Sequence, residues 1–165
     1  MLDIVDGKAL LLAGALFQMN FDVDGSTIWM DSSLRAHLNS RAARGFLQDA
    51  NFTADEAAAI NTSVSATGDS VFLLSGDEAL SYLPDADMRR AYDKEWLLRS
   101  PRHYENVETI GEGGEYGGSF PAFIHNKTLC WVRPAMWVDL SMLTHDPDAN
   151  TLVPKPNNDC YHCHT

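Results

Sequence analysis

The sequence contains 165 residues, of which 45% are apolar and 21% are charged, so it can bury the core of one folded domain. Its 23 acidic residues against 12 lysines and arginines give a formal net charge of −11, and such a surface repels phosphate backbones and anionic lipids. This charge argues against nucleic-acid binding and membrane-surface binding, and no apolar run reaches the roughly 18–20 residues of a membrane-spanning helix.

The longest apolar run, residues 9–17, is interpreted as a buried core strand near the N-terminus. Asp3 and Asp6 precede it with Lys8 as the one cation, whereas a secretory signal begins with net positive charge. If a signal has been removed, we expect the protein outside the cell or at the cell surface. Otherwise we expect it in the cytoplasm.

The first part of the chain alternates between short apolar runs and turn residues. Residues 8–23 contain two such runs, and the Asp-Gly dipeptide at 24–25 follows them, which predicts a β-hairpin turn. A helical pattern then begins after Asp31 or Ser32, either of which can cap a helix, and Gly45 interrupts it.

The next elements are short and have clear boundaries. Thr53 and Glu56 match a capping box at the start of an alanine-rich helix. Residues 71–75 predict a buried strand, and they are followed by a short helix that ends at Pro84. Residues 96–101 predict a strand that stops at a proline.

Long loops are predicted in the second half of the chain. Residues 102–121 include the glycine-rich stretch 111–118, which predicts a loop too long for a tight turn. Pro134 lies inside the apolar run 129–140 and therefore requires an edge, a bulge or a break. Residues 145–159 contain three prolines and predict an extended tail or linker.

These elements do not follow the spacing of βαβ units. The sequence therefore predicts an α+β fold with a small antiparallel or mixed sheet, short helices and long loops. The predicted domain covers residues 1–141, and residues 142–165 form a predicted extended tail that carries a C-x-x-C-H pattern.

Motifs in a fixed order carry a resemblance to a known family. They are WMDSSLRAHLN (29–39), FTADEAAAI (52–60), VFLLSGDEALSYL (71–83), WLLRSP (96–101) and WVRPAMWVDL (131–140). Together they resemble an uncharacterised bacterial family of domains of unknown function, over about residues 7–140. This sequence departs from the family pattern at His37, where the family usually has tryptophan, and at Trp131, where it usually has glycine.

The resemblance implies a C-type-lectin-like scaffold, which formylglycine-generating enzymes and the variable proteins of diversity-generating retroelements share. In that scaffold, a strand that carries an Arg-Pro motif near the C-terminus closes a small-sheet domain rich in loops. Members of the resembled family often occur as modules of surface or secreted proteins, which implies binding and not catalysis. Fold alone does not assign a function.

The C-terminal residues Cys160, His162, Cys163 and His164 form the sharpest cluster of metal-binding side chains in the sequence. The C-x-x-C-H pattern is typical of c-type haem attachment, in which both thiols bind the porphyrin and His164 would ligate iron. The same atoms suit zinc, with Cys130, His145 or a neighbouring chain as candidates to complete the site. A solvated tail without a ligand is the third alternative.

The glycine-rich stretch lacks the pattern of a dinucleotide or phosphate loop. It is interpreted either as a mobile connection or as a ligand-binding loop, with candidate contacts at Tyr104, Glu112, Glu115 and Tyr116. Asp146, Asp148 and Asn150 match the start of a calcium loop, but the later positions do not fit, so a solvated turn is favoured. The weaker acidic turn at 22–25 is interpreted in the same way.

Arginines and tryptophans within the motifs are interpreted as framework residues. Arg35, Arg99 and Arg133 are expected to pair internally with carboxylates or carbonyls, and the candidate carboxylates are Asp31, Asp77, Glu78 and Asp139. The four tryptophans are assigned to the core more readily than to a ligand cage.

No nucleophile elbow or other catalytic motif is recognised, so the leading hypothesis is a non-enzymatic binding or display module. Its ligand would be a protein or a glycan, bound by residues 102–128 and nearby C-terminal residues. The alternative is a metal- or c-type haem-binding protein that uses Cys160, Cys163 and His164. A third hypothesis treats the tail as a variable, diversified region.

Overall fold

The computed structural model describes residues 1–14, 17–103, 105–122, 129–146 and 151–155, and ten strands and five helices lie in these ranges. The strands are β1 Asp3–Val5, β2 Lys8–Leu12, β3 Phe17–Met19, β4 Trp96–Pro101, β5 Asn106–Ile110, β6 Tyr116–Pro121, β7 Cys130–Val132, β8 Ala135–Asp139, β9 Leu143–Asp146 and β10 Thr151–Pro154. The helices are α1 Ser33–Leu38, α2 Phe46–Asp49, α3 Ala54–Ala59, α4 Gly76–Tyr82 and α5 Ala86–Arg89. The predicted α+β class is confirmed.

Three small sheets organise the described residues. The largest has the strand order β3-β7-β4-β5-β6 and is mixed, because β4 and β7 run parallel while the other neighbours are antiparallel. The second has the order β1-β2-β8, and the third is the β9-β10 hairpin. The predicted sheet is therefore divided into several pieces.

The β2–β8 pairing brings the two ends of the motif-bearing region together. Lys8 pairs with Asp139 and Leu12 pairs with Ala135, in antiparallel register. Ala9 and Leu10 are buried in β2, so the interpretation of the N-terminal apolar run as a core strand is confirmed for its first part. The strand ends at Leu12, and Phe17 at the end of the run begins β3. The β2–β8 pairing joins residues 8–12 to residues 135–139, which lie far apart in the sequence.

Helix caps follow the local sequence. The Ser32 hydroxyl accepts the backbone N–H of Arg35 at the start of α1, and both bonds of the Thr53–Glu56 capping box are present. Ser75 and Glu78 form a second capping box at the start of α4, which the sequence analysis did not identify. Each such cap stabilises its helix by about 1 kcal/mol.

The core contains three of the four tryptophans. Trp29, Trp96 and Trp137 are buried, as expected, whereas Trp131 is half-buried. Residues 71–74 are also buried, but they make an isolated bridge between Phe72 and Ala135 and do not form a regular strand. The prediction of a buried strand there was therefore right about burial and wrong about regular pairing.

The hairpin turn predicted at residues 24–25 was wrong. The carboxylate of Asp22 instead accepts the backbone N–H groups of Asp24, Ser26 and Ser33, and it folds this segment into a capped turn before α1. An Asp-Gly hairpin turn does form at residues 6–7, between β1 and β2, where both residues have positive φ. The Asp-Gly dipeptide therefore forms a hairpin turn at residues 6–7 and not at residues 24–25.

The long glycine-rich loop predicted within residues 102–121 was also wrong in part, because β5 and β6 pair there as an antiparallel hairpin. Its turn covers residues 111–115. Gly114 has a φ of 88°, and a Cβ there would overlap the carbonyl of Ala86. Gly117 has a φ of 109° and lies at the register shift opposite β5. These glycines permit a bulged strand and a tight turn.

Pro134 separates β7 from β8, as expected of a strand break. Beyond β8, residues interpreted as an extended tail instead form the β9-β10 hairpin. Leu143 and Pro154 of this hairpin line an apolar crevice with residues of β2, β8 and α3. The separation of a domain 1–141 from a tail 142–165 stays a prediction.

Candidate functional site

The first motif is organised around a buried carboxylate. Asp69 is 5% exposed and accepts hydrogen bonds from Trp29 Nε1 at 2.8 Å and from Arg35 Nε at 2.8 Å. The expected internal ion pair of Arg35 is confirmed, but its partner is Asp69, which was absent from the candidate carboxylates. This network fixes the segment before α1 against the loop at residues 64–69.

A second network joins α4 to β4. Arg99 donates from Nη2 to Glu78 Oε1 at 2.7 Å and from Nη1 to the carbonyl of Leu73 at 2.7 Å. Burial disfavours the charged form of Glu78, but the hydrogen bonds and charge of Arg99, with the N–H and hydroxyl of Ser75, outweigh it. The pKa of Glu78 therefore lies below its usual value, and the expected Arg99–Glu78 pair is confirmed.

Among the described residues, Arg133 forms no ion pair with a carboxylate, which was one of the alternatives predicted for the motif arginines. Its Nε donates to the carbonyl of Ala13 at 3.0 Å, and its guanidinium lies 5.3 Å from the ring centroid of Trp96. Burial lowers the pKa of Arg133. The carbonyl alternative is confirmed, and this arginine packs as part of the framework.

A cavity of about 530 Å³ lies where these motifs meet. We name it the motif groove, and it is lined by Ile28, Trp29, Met30, Ala66, Thr67, Ser75, Arg99, Ser100 and Pro101. Its rim side chains Ile28 and Met30 are more than half exposed. Its polar side chains already have partners: Ser75 caps α4, Arg99 binds Glu78, and Ser100 accepts the Gly76 N–H. The groove therefore offers a ligand mainly apolar side chains.

A smaller groove of about 190 Å³ lies beside the β5-β6 hairpin. We name it the hairpin groove, and it is lined by Lys94, Glu95, Glu112, Phe120, Leu129, Cys130 and Trp131. Lys94 Nζ lies 5.7 Å from the ring centroid of Trp131. Lys94 and Glu112 are exposed, and among the described residues neither side chain has a hydrogen-bond partner. The groove therefore offers both charged groups and an aromatic face.

Cys130 forms the inner wall of the hairpin groove. Its thiol lies 3.4 Å from the carbonyl oxygen of Glu95. Burial, with the nearby charge of Glu95, raises the pKa of Cys130 to about 12. A thiol with such a pKa is neutral at pH 7, so in this structure it packs as a small apolar residue.

Comparison with protein families gives a match over residues 6–140 to a family described as a domain of unknown function, DUF6273. The chain belongs to this family. The match spans all the motifs on which the resemblance was based, so the resemblance to an uncharacterised family of domains of unknown function is confirmed. No curated protein and no solved structure matches the chain.

The candidate ligand-binding residues of this DUF6273 domain lie in different places. Glu112 lines the hairpin groove, whereas Tyr116 does not. The Tyr116 hydroxyl donates to Glu108 Oε1 at 2.8 Å. That hydrogen bond, with burial, raises the pKa of Tyr116. The Glu115 carboxylate lies over the turn glycines of the hairpin. Tyr104 falls outside the described residues.

The candidate metal ligands Cys160, His162, Cys163 and His164 also fall outside the described residues of the DUF6273 domain. Within the described ranges, no three histidine, cysteine, aspartate or glutamate side chains are grouped so that they could hold a metal ion. The acidic turn at residues 22–25 uses the Asp22 carboxylate for backbone N–H groups. Burial raises the pKa of Asp22, but those bonds outweigh it and leave the pKa lowered.

The sequence predicts no membrane-spanning helix, and the lengths of the helices test this prediction. In the parts of the chain that the structure describes, no helix is long and apolar enough to span a bilayer.

Two features of the site were beyond the sequence analysis. Lys94 was not singled out, and Trp131 was assigned to the core with the other tryptophans. The signal available was the departure from the family pattern at Trp131, because a tryptophan in place of glycine adds a large aromatic side chain beside β4. Lys94 lies two residues before Trp96, and Trp96 pairs with Trp131 across the sheet.

Proposed function

We propose that this DUF6273 domain is a non-enzymatic ligand-binding or display module, and that the hairpin groove is its ligand surface. One observation carries the proposal: this groove combines a half-buried tryptophan with charged groups that have no hydrogen-bond partners among the described residues. Ligand sites typically pair an apolar surface with a few polar groups available to the ligand.

The motif groove is larger, but it supports the proposal less. Its arginine and serines already stabilise the framework, so a ligand there would meet few available donors or acceptors. Ligand affinity depends on unsatisfied polar groups and preorganised apolar contacts more than on cavity size. We therefore assign the motif groove a structural role.

The scaffold is proposed to be C-type-lectin-like, with a domain at residues 1–141 and a tail at 142–165. The antiparallel pairing of β2 with β8, directly after Arg133-Pro134, supports this assignment, because it closes the domain at its two ends. Short helices and divided sheets are compatible with it. On this scaffold the β5-β6 hairpin projects Glu112 towards the groove.

The proposed ligand is a small group carried by a protein or a glycan. Glu112 would contact it directly. Tyr104, Glu115 and Tyr116 stay proposed contacts for the larger remainder of such a ligand. Glu115 and Tyr116 are exposed and follow Glu112 closely in the sequence.

Saturation-transfer NMR with a defined set of monosaccharides, amino-acid amides and small amines tests this proposal. We expect binders whose signal is lost in Trp131→Leu and kept in Met30→Ser, which alters the motif groove instead. Retention of every binder in Trp131→Leu, or loss of binding in Met30→Ser with a folded protein, would contradict the assignment. Circular dichroism of both variants supplies the folding control.

A second candidate function rests on the C-x-x-C-H pattern at Cys160, Cys163 and His164. It is a metal or c-type haem site at the C-terminus, with His162 as a further ligand. Elemental analysis and an absorption spectrum of protein produced with export machinery test it. Iron with a Soret band that survives denaturation would establish covalent haem, and zinc lost in Cys160→Ser would establish a zinc site. Metal-free protein would remove this candidate.

A further inference from the structure

The hairpin groove already contains one organic cation of its own chain. The Lys94 ammonium lies over the Trp131 ring at 5.7 Å, within the distance at which a cation is attracted by the negative face of an aromatic ring. Among the described residues, Lys94 forms no salt bridge with a carboxylate. The indole face is therefore the contact that the described residues offer its ammonium group.

Two carboxylates line the same groove. One oxygen of Glu95 accepts the hydroxyl of Thr109 at 2.6 Å, and Glu112 makes no hydrogen bond with the described residues. The negative potential of Glu95 is felt at Cys130, where it adds to burial in raising the thiol pKa. With a net charge of −11 over the whole chain, the groove attracts positive groups and disfavours anions.

The volume of the hairpin groove and the exposure of Lys94 limit the ligands that can bind. The groove has a volume of about 190 Å³, which is below the range of roughly 300–1,000 Å³ for drug-sized ligands. It therefore accepts one small head group. Lys94 is exposed, so its side chain can move into solvent and leave the Trp131 face to an external cation.

We propose that the hairpin groove binds a small organic cation, a primary or quaternary ammonium group, which replaces the Lys94 ammonium over Trp131 between Glu95 and Glu112. This inference rests on the proposed function, because it names the ligand class of the same groove. Lys94 acts in the unliganded protein as an internal competitor for the site.

The test compares choline with 3,3-dimethylbutan-1-ol, which has the same shape without the charge. Binding is followed on the full chain by the indole N–H signals in ¹⁵N NMR spectra. We expect choline to bind about tenfold more tightly than the neutral alcohol, with tighter choline binding in Lys94→Met and weaker binding in Glu112→Gln. Lys155→Met is the matched control, because it removes a lysine far from the groove along the chain.

Different outcomes separate the inference from the proposed function. Equal affinity for choline and the alcohol, or no tightening in Lys94→Met, would overturn the cation site. If a neutral sugar binds instead and its binding is lost in Trp131→Leu, the groove stays the ligand site and only the cation inference fails. If Trp131→Leu does not fold, Trp131→Phe replaces it.

A second arm identifies the source of the cation. Nα-acetyl-lysine amide represents a protein side chain, whereas choline represents a free molecule or a head group. Stronger binding of the lysine amide assigns the site to a protein ligand, and stronger binding of choline assigns it to a small molecule. Weakening of either signal at high salt is expected, since the carboxylate of Glu112 is exposed to screening by salt.

Discussion

The motif groove and the hairpin groove use polar side chains in opposite ways. In the motif groove, Arg99 and Ser100 are bonded to the protein itself, and their bonds join α4 to β4. In the hairpin groove, Lys94 and Glu112 reach solvent with no hydrogen-bond partner among the described residues. Most motif residues therefore form a framework. Lys94 and Glu112 lie between the motifs, and Trp131 occupies a motif position at which this sequence departs from the family pattern.

This difference explains why the larger cavity is not the better site. A buried hydrogen-bonded pair loses much of its stabilisation when one member turns to a ligand, because its partner is left without a bond. Exposed groups carry no such cost. The predictions that follow test whether the two grooves divide stability and binding in this way, beginning with the largest expected effect.

Replacing the central carboxylate of the first motif should have the largest effect. Asp69→Ala removes the acceptor of both Trp29 Nε1 and Arg35, and we expect it to lower the free energy of unfolding by about 3–4 kcal/mol. Urea unfolding followed by tryptophan fluorescence measures the change. Asp87→Ala is the control, since Asp87 lies 3.7 Å from Arg90 in an exposed pair that contributes little. Equal effects of the two variants would contradict the framework role.

The turn that presents Glu112 should be the next most sensitive position. Gly114→Ala adds a Cβ that overlaps the carbonyl of Ala86 at a φ of 88°, so we expect a loss of about 2–3 kcal/mol. Gly7→Ala is the matched control, because Gly7 also has a positive φ but nothing lies near its added Cβ. The difference between the two thermal midpoints isolates the steric part. A smaller loss for Gly114→Ala than for Gly7→Ala would contradict this account.

The Arg99–Glu78 pair should give the protein part of its sensitivity to acid. The pKa of Glu78 is lowered in the folded state, so its stabilisation is present above the unfolded pKa and is lost as the pH falls through the folded pKa. We expect Glu78→Gln to cost about 1–2 kcal/mol at pH 7 and to flatten the loss of stability below pH 5. Unfolding midpoints measured from pH 7 to pH 3 test this.

The control for that pH series is Glu112→Gln in the hairpin groove. Glu112 makes no hydrogen bond with the described residues, so its variant should follow the curve of the unmodified protein. If both variants flatten the curve equally, the acid response does not come from the buried pair. Glu78 binds Arg99 of the motif groove, and Glu112 lines the hairpin groove, so the two variants compare the two grooves.

Local features of the fold could be predicted from the sequence, because their causes lie within a few residues. The caps at Ser32 and at Thr53–Glu56 depend on side chains that reach the first turn of their own helix. Pro134 interrupts its strand because it lacks an N–H. The α+β class followed from the mixture of such short elements.

Features that depend on distant residues could not be predicted. Asp69 binds Arg35 from 34 positions away, and no local pattern marks it as the partner. The β5-β6 hairpin was interpreted as a loop because Gly117 and Gly118 occupy a strand, where glycine is usually unfavourable. The hairpin groove joins residues 94–95, 112, 120 and 129–131, so its existence depends on sheet order and not on a motif.

The smallest expected effect is the absence of a reaction at Cys130. Its thiol is buried behind the hairpin groove with a pKa of about 12, so at pH 8 its thiolate fraction is about a thousandfold below that of an ordinary exposed thiol. We expect peptide mapping after iodoacetamide treatment to find Cys130 unmodified in the native protein and modified in urea. Modification of the native protein would mean that the groove opens through its inner wall. A closed wall would instead support a shallow surface in which Trp131 and its charged neighbours are the groups available to a ligand.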